Sequence, residues 1–413
     1  MPQRVSHTEM RKIITFLGKY PKATSYQFAG QVYTGRVFAE ALRQFVQFDE
    51  MLVFVTDEAR QTAWPVLAEL NDPRIKAVPI QTGESTAEIW EMFDAMTAHV
   101  GAGETVIFDI THGLRSLPFL VFLFAAYLKS AKNVKIAAVY YGAFELGGPD
   151  KPAPVIDLSS FVGMFDWLTA AERFTRYGDS QDLAALLRRA GRETPARQPL
   201  SDAADTLDRL SQALQLIRPG DAMAYSAQLP AALEAARAMA EATPSARPYT
   251  YLTSEIEQAY APFALAAPFD PAHLAAGLDK QRRLVRWYID HAQWVQAVSL
   301  AREWLVSWVM WQLGETDLLD RELRESIAET MSAEAQRRKA AKDAKRLFSS
   351  LLLRQVPAIS DVLGLWLSLA GVRNDIDHAG MKAKPMGAAE LTKSVQTLVG
   401  KLQTLPLERI PSP

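Results

Sequence analysis

Apolar and polar positions change their rhythm near residue 160. Before that point, short apolar runs alternate with longer amphipathic ones. Residues 11–17, 51–56, 75–80, 105–108 and 134–141 read as strands, rich in Ile, Val and Phe, and 155–158 adds a sixth. Between them, residues 32–46 read as a helix with Val37, Ala41 and Phe45 on one face. Residues 59–70 read as another, with Pro65 leaving its start open. Residues 86–100 read as a third, with Ile89, Met92, Phe93 and Met96 on one side. Residues 117–127 are almost wholly apolar and too long for a buried strand. They read as a helix under a sheet, with Pro118 in its first turn, where a missing N–H costs nothing.

Regular alternation of strand and crossover helix predicts an α/β domain with a Rossmann-like parallel sheet covered on both faces. Beyond residue 161 only helical patterns remain, so an all-α region follows. Residues 191–201, with Pro195 and Pro199, are the best linker candidate. The expected division is 1–160 for the sheet domain, 161–200 for linker helices and 201–413 for the helical domain. Residues 293–312 carry Trp294, Trp304, Trp308 and Trp311 at helical spacing, which reads as core or subunit interface.

Composition narrows the chemistry. The chain has 413 residues, 49% hydrophobic and 22% charged, without cysteine. Disulfides, thiol catalysis and Cys-based metal sites are excluded. The first twelve residues lack an apolar signal core, and no apolar run is long enough to cross a bilayer. A cytoplasmic protein is expected. The net charge of −2 offers no global field for nucleic acid, so RNA binding needs a local groove.

Three polar loops should meet at the carboxyl edge of the sheet, where open α/β sheets bind ligands. They hold Gly18, Lys19 and Tyr20; Thr56 and Asp57; and the stretch Asp109-Ile110-Thr111-His112-Gly113-Leu114-Arg115-Ser116. The last runs from a strand end into a helix start, where free N–H groups favour anions. Thr111, His112, Arg115 and Ser116 add donors suited to phosphate and ribose. An ordinary turn capped by its own polar residues accounts for the same pattern. No G-x-G-x-x-G follows the first strand, which disfavours a dinucleotide cofactor.

Asp109 to Gly113 resembles the DxTHG signature of a CRISPR-associated family that joins a Rossmann-like sensor domain (CARF) to a helical HEPN nuclease domain. Phe16-Leu17-Gly18, Thr56-Asp57-Glu58-Ala59-Arg60 and Tyr140-Tyr141-Gly142-Ala143-Phe144-Glu145 resemble the same family in order. The resemblance implies a homodimer, or a higher assembly of dimers, that binds cyclic oligoadenylate. The ligand would lie on these loops and on Tyr141 and Gly142. Family frequency favours the tetra-adenylate over the hexa-adenylate.

Near the C-terminus, Arg373-Asn374-Asp375-Ile376-Asp377-His378 follows an apolar helical run. His can move the proton of a 2′-hydroxyl near neutral pH, and Arg can steady the extra charge of a phosphorane. Arg286 to His291 has the same spacing but lacks the Asn and reads as a decoy. In the CARF-linked HEPN ribonucleases that the 109–113 stretch resembles, the nuclease motif is Arg, a polar residue often Asn, then His after a four-to-six-residue gap, late in the helical domain. The resemblance therefore implies that Arg373, Asn374 and His378 cleave single-stranded RNA without a metal, in type III CRISPR antiviral defence. A related nucleotide-transferring class carries Tyr where this chain has Gly380. A sensor without nuclease activity, and a ring nuclease acting on the messenger, remain the alternatives. No cofactor, metal site or membrane partner is expected; Asp375 and Asp377, two apart on a helix, face different sides. Arg337, Arg338, Lys339, Lys342, Lys345, Arg346 and Arg354 form a basic stripe against one acid, Asp343. It reads equally as an RNA track or a solvated face.

Overall fold

The computed structural model describes residues 10–113, 117–195, 197–341, 350, 352–381 and 383–409. The chain forms two compact units, residues 1–166 and 167–413.

The first unit is built on one eight-stranded sheet. Its elements run β1 (Arg11–Phe16), β2 (Thr24–Phe28), β3 (Gln31–Gly35), α1 (Phe38–Phe45), β4 (Glu50–Val55), α2 (Asp57–Thr62) and α3 (Trp64–Ala68). They continue with β5 (Ile75–Pro79), α4 (Thr86–Ala98), β6 (Thr105–Asp109), α5 (Leu117–Lys132), β7 (Lys135–Gly142), β8 (Ala153–Asp157) and α6 (Ser159–Tyr177), which belongs to the second unit from Trp167 onward. The strand order is β3-β2-β8-β7-β6-β1-β4-β5. From β7 to β5 every neighbouring pair is parallel. β1 lies in the middle of this run, and Ile13, Ile14 and Thr15 are wholly buried.

Side chains alternate along β1, so its apolar residues serve both faces. Ile13 joins a core with Phe38 and Leu42 of α1, Ala59 of α2, Leu67 of α3 and Ala63 between those last two helices. Ile14 and Phe16 join another with Met92 and Met96 of α4 and Val121, Phe124 and Leu128 of α5. A double-sided core of this kind selects continuous apolar strands rather than alternating ones.

The structure departs from the sequence expectation in three places. Residues 32–46 are not one helix: residues 31–35 are a strand, and the helix begins at Phe38. β2 and β3 form a hairpin through Ala29 and Gly30, whose φ angles of 48° and 81° suit a tight two-residue turn. The alternating Tyr-Gln-Phe and Val-Tyr-Thr around Ala29-Gly30 carry that signal, which helical spacing of Val37, Ala41 and Phe45 masked. Second, the sheet is not wholly parallel, because β8 runs antiparallel to β7 while pairing parallel with β2. Third, residues 59–70 split into α2 and α3, since Pro65 sits in the first turn of α3 and cannot continue the helix before it.

The second unit is helical, as expected from residue 161 onward. α7 (Gln181–Gly191), α8 (Gln198–Gln215), α9 (Pro219–Ala242), α10 (Thr253–Tyr260) and α11 (Leu274–Asp290) are followed by α12 (Trp294–Gln312), α13 (Arg321–Ala341), α14 (Ile359–Asp377) and α15 (Ala388–Gln403). α12 is the centre. Trp304 and Trp308 are fully buried, and each indole N–H reaches a backbone carbonyl, Leu278 O at 2.7 Å and Pro406 O at 2.8 Å. Trp304, Trp308 and Trp311 of the tryptophan stripe are core, with Trp294 packed partly buried against it, and the polar handles of Trp304 and Trp308 are satisfied. Residues 183–190 of α7, inside the segment expected as linker, belong to this same core.

Candidate functional sites

In the first unit the chain passes from β1 to neighbours on both sides, and the ends of β1 and β6 flank the point where strand order reverses. Asp109 closes β6 there with its side chain wholly buried. Its Oδ2 accepts the Thr15 hydroxyl of β1 at 2.6 Å, and its Oδ1 accepts the Thr111 N–H at 2.8 Å. One carboxylate thus ties two strands and starts the loop that follows. Thr111 Oγ1 in turn accepts the Gly142 N–H at 2.7 Å, fastening that loop to the end of β7.

His112 is held on three sides. Its Nε2 accepts the Phe38 N–H at 3.3 Å, its ring stacks on Phe144 at 5.8 Å, and its Cβ lies 3.7 Å from where a Cβ on Gly18 would be. Phe38 opens α1, and that helix has no side-chain cap of its own, so His112 satisfies a first-turn N–H from outside the helix. An acceptor Nε2 leaves the proton on Nδ1 in the neutral ring. The Phe38 ring also covers Gly142, where an added Cβ would lie 2.6 Å from ring carbon Cδ2. Gly142 is required there by close approach rather than by dihedral.

The other expected loop residues are placed around this node. Gly18 adjoins His112. Lys19 pairs with Glu58 at 2.5 Å, linking the loop after β1 to α2, while Tyr20 projects into solvent with 85% of its surface exposed. Thr56 caps α2 through its hydroxyl, which accepts the Ala59 N–H at 3.3 Å, and Asp57 lies exposed in the first turn. The Tyr141 hydroxyl bonds Glu145, and burial with that neighbour pushes the phenol up to about 12. Gly113 adopts a φ of 123°, a conformation that favours glycine. Leu114, Arg115 and Ser116 lie outside the described residues. Sequence reasoning missed Thr15, Phe38 and Phe144. Thr15, a hydroxyl within an apolar strand, left a visible signal, and Phe144 lay in the 140–145 stretch without a role assigned to it.

In the second unit, α14 ends at the Arg373 motif. Arg373 pairs with Asp377 one turn on at 3.2 Å, with both side chains nearly half exposed. Asn374 is exposed. His378 is the C-cap residue, its N–H reaching Asn374 O at 3.2 Å and its side chain exposed. The chain then turns through Ala379 and Gly380, with φ of 51° and 71°, and Gly380 N–H closes on Asp375 O at 3.0 Å. Asp375 is buried, and its Oδ2 accepts the Met386 N–H at 2.9 Å, anchoring the segment after the motif. Asp375 and Asp377 therefore face different ways. Among the described residues no group of three or more His, Cys, Asp or Glu is placed to hold a metal ion.

The second Arg-to-His spacing ends α11 in the same way. Arg286 pairs with Asp290, and His291 is the C-cap residue. The imidazoles differ. His291 bonds Trp287 O through Nδ1 at 2.7 Å and stacks on the Trp287 ring at 4.3 Å. His378 makes no such contact among the described residues. In the basic stripe, Arg337 pairs with Glu334 and Arg338 reaches Ser360 Oγ at 3.1 Å, whereas Lys342, Lys345 and Arg346 lie outside the described residues. No helix among the described residues is long and apolar enough to cross a membrane.

Residues 163–262 match the model of a domain family described as the second domain of CRISPR-associated protein MJ1674. That segment runs from α6 to α10, the entrance to the helical unit. The chain is also similar to CRISPR-associated protein MJ1674 of Methanocaldococcus jannaschii, 31% identical over 146 residues. The match covers 34% of this chain and 23% of that protein's length.

Electrostatics make the His112 node pH-sensitive. Burial lowers the His112 pKa, and Asp109 pulls it partly back. Burial raises the Asp109 carboxyl, opposed by Thr15, His112 and Thr111. In the unfolded chain an imidazole titrates near about 6.5. As pH falls through that value the unfolded state gains a proton that folded His112 refuses, so stability present above it is lost. Asp109 acts with the opposite sign, because its raised carboxyl binds a proton more readily when folded. Replacing His112 with Gln keeps an acceptor for Phe38 and removes the titration. Thermal unfolding of the first unit at about pH 7.5 and about pH 5.5 should show a smaller acid-induced loss for His112→Gln than for the native chain. An equal loss in both would mean that His112 does not couple to folding.

Proposed function

We propose that the chain is a cyclic oligoadenylate-activated, metal-independent endoribonuclease acting on single-stranded RNA in type III CRISPR antiviral defence. The observation that carries the reading is the contrast between its two Arg-to-His motifs. His378 is exposed and its side chain makes no hydrogen bond or ring contact among the described residues, while His291 bonds and stacks on Trp287. The similarity to CRISPR-associated protein MJ1674 and the resemblance of the 109–113 turn to a sensor signature favour the same context.

In this reading the imidazole of His378 moves the proton of a 2′-hydroxyl or of the leaving oxygen. Arg373 steadies the charge gathering on phosphorus. Its pairing with Asp377 is no obstacle. An exposed pair of this kind contributes about 0–1 kcal/mol, so a phosphate can displace the carboxylate. Asp377 would then hold the guanidinium between turnovers. The messenger would bind at the carboxyl edge of the sheet, where Gly18, Thr111, His112, Gly113 and Gly142 converge.

Cleavage of a labelled RNA should require a cyclic oligoadenylate, persist in EDTA, and leave 2′,3′-cyclic phosphate and 5′-hydroxyl ends. His378→Ala should abolish cleavage and leave activator binding intact, while His291→Ala cleaves nearly as well as the native chain. Loss of activity in the His291 variant alone, or 5′-phosphate ends that need a divalent ion, would contradict the assignment.

The homodimer belongs to the same reading. Phe119, Leu123 and Tyr127 line the outer face of α5, and Phe161, Met164 and Phe165 line α6, all 42–68% exposed. The Lys129–Asp166 ion pair ties these two helices together. At roughly 150–250 Å² per large aromatic side chain, the exposed apolar surface is on the order of 500 Å². With its rim it approaches the roughly 800 Å² that each partner contributes to a standard interface. α5 follows directly from the 111–116 loop, so a second copy on this face would bring two such loops together. Leu123→Arg should convert a dimer to a monomer in analytical ultracentrifugation at micromolar concentration; an unchanged sedimentation coefficient would exclude this face.

A further inference from the structure

The helical unit contains a half-open cleft of about 500 Å³, remote in sequence from the Arg373 motif and lined from α9, α11, α12, α13 and the residues just before α9, with the Glu303 carboxylate in its wall paired to Arg324. Gln281 of α11 lies in its wall. It is only 4% exposed, and its amide has no hydrogen-bond partner among the described residues. The amide is not sealed from solvent, so its two donors and two lone pairs are open to whatever fills the cleft. Facing it in the same cleft is the start of α9, a helix of 24 residues. Its first residue, Pro219, has no N–H. The Gly220 and Asp221 N–H groups precede the first helical bond, Ala222 N–H to Arg218 O at 2.9 Å, and Arg218 supplies no side-chain cap. These two N–H groups and the helix dipole favour an anion. The Arg218 side chain is exposed and makes no ion pair among the described residues. Gly220 is needed because the Phe269 ring lies where a Cβ would be, at 2.5 Å from Cε2. That ring and the exposed Leu319 give the cleft apolar walls.

We infer that this cleft binds a nucleotide. A phosphate would sit on the Gly220 and Asp221 N–H groups with Arg218, and a base would meet the Gln281 amide along one edge. A Gln amide presents a donor and an acceptor side by side, the pairing that reads the N6 and N7 edge of adenine. The apolar walls suit the faces of the base, and the volume lies within the range of small-ligand pockets. The site is separate from both sites described above, and the inference stands whether or not the chain cleaves RNA.

Calorimetry of the full chain with AMP, adenosine and inorganic phosphate tests it. AMP should bind at least ten times more tightly than either fragment. Gln281→Leu removes the unpartnered amide without adding volume. This variant should keep or raise the melting temperature and lose AMP affinity at least tenfold. Arg218→Ala should weaken AMP and phosphate alike, and His378→Ala should leave AMP binding unchanged. A 5′-phosphorylated RNA octamer that displaces AMP would identify the end of an RNA chain as the source, and failure to displace it a free nucleotide. No AMP binding at millimolar concentration, or undiminished binding by Gln281→Leu, would overturn the proposal and leave Gln281 a water-satisfied amide.

Discussion

A carboxylate buried at the end of the sheet organises the first unit. Asp109 sits at the boundary between an apolar strand and a polar loop. Its two oxygens are taken by a hydroxyl from β1 and an N–H from the loop itself. Burying such a group without partners would cost several kcal/mol, so its bonds cannot be exchanged freely for others. The geometry of the loop follows. With Thr111 pinned at both its N–H and its hydroxyl, His112 has one place to go, between Phe38 and Phe144. The imidazole that chemistry would assign to a ligand is thereby also a structural acceptor for a helix start. Any ligand at this edge meets a rim built from fixed main-chain bonds, not a set of free side chains.

In the second unit the corresponding constraint is helix termination. α11 and α14 both finish with an Arg–Asp pair one turn apart, a His at the C-cap and a left-handed residue next, Ala292 or Ala379. The Arg-to-His spacing is thus what a helix end produces when cations and imidazoles gather near its negative pole. Spacing alone carries no catalysis. What separates the two copies is a neighbour. Trp287 occupies one imidazole on its carbonyl and on its ring, and no described residue does so at α14. Asp375 makes the second copy rigid from beneath by holding the Met386 N–H.

Much of this was legible in the residues. Apolar runs of five or six marked the central strands, because strands covered on both faces need no polar alternation. The helical half followed from periodicity, and the tryptophan stripe was core because α12 crosses the middle of that unit. The hairpin at residues 24–35 was hidden, since apolar positions spaced by four imitate a helix where Val37 and Ala41 follow a strand. The antiparallel placing of β8 depends on pairing with β2 and β7, which no local pattern encodes. At the edge of the sheet, loop membership was readable but roles were not. Lys19 turned toward Glu58, Arg373 toward Asp377 and His112 toward a backbone N–H, each a choice set by three-dimensional neighbours.

The central claim is that the loop after β6 reads a ligand and sets the activity of the Arg373 motif. Thr111→Val tests this directly. Valine keeps the shape but removes the acceptor for Gly142 N–H, a buried bond whose loss costs on the order of 1–3 kcal/mol. The measurement is the RNA cleavage rate as a function of cyclic tetra-adenylate concentration, for this variant and the native chain. The account predicts a midpoint shifted upward by roughly 5- to 100-fold, with full activity regained at saturation. A curve that superimposes on the native one, in a protein whose cleavage depends on the activator, would contradict it.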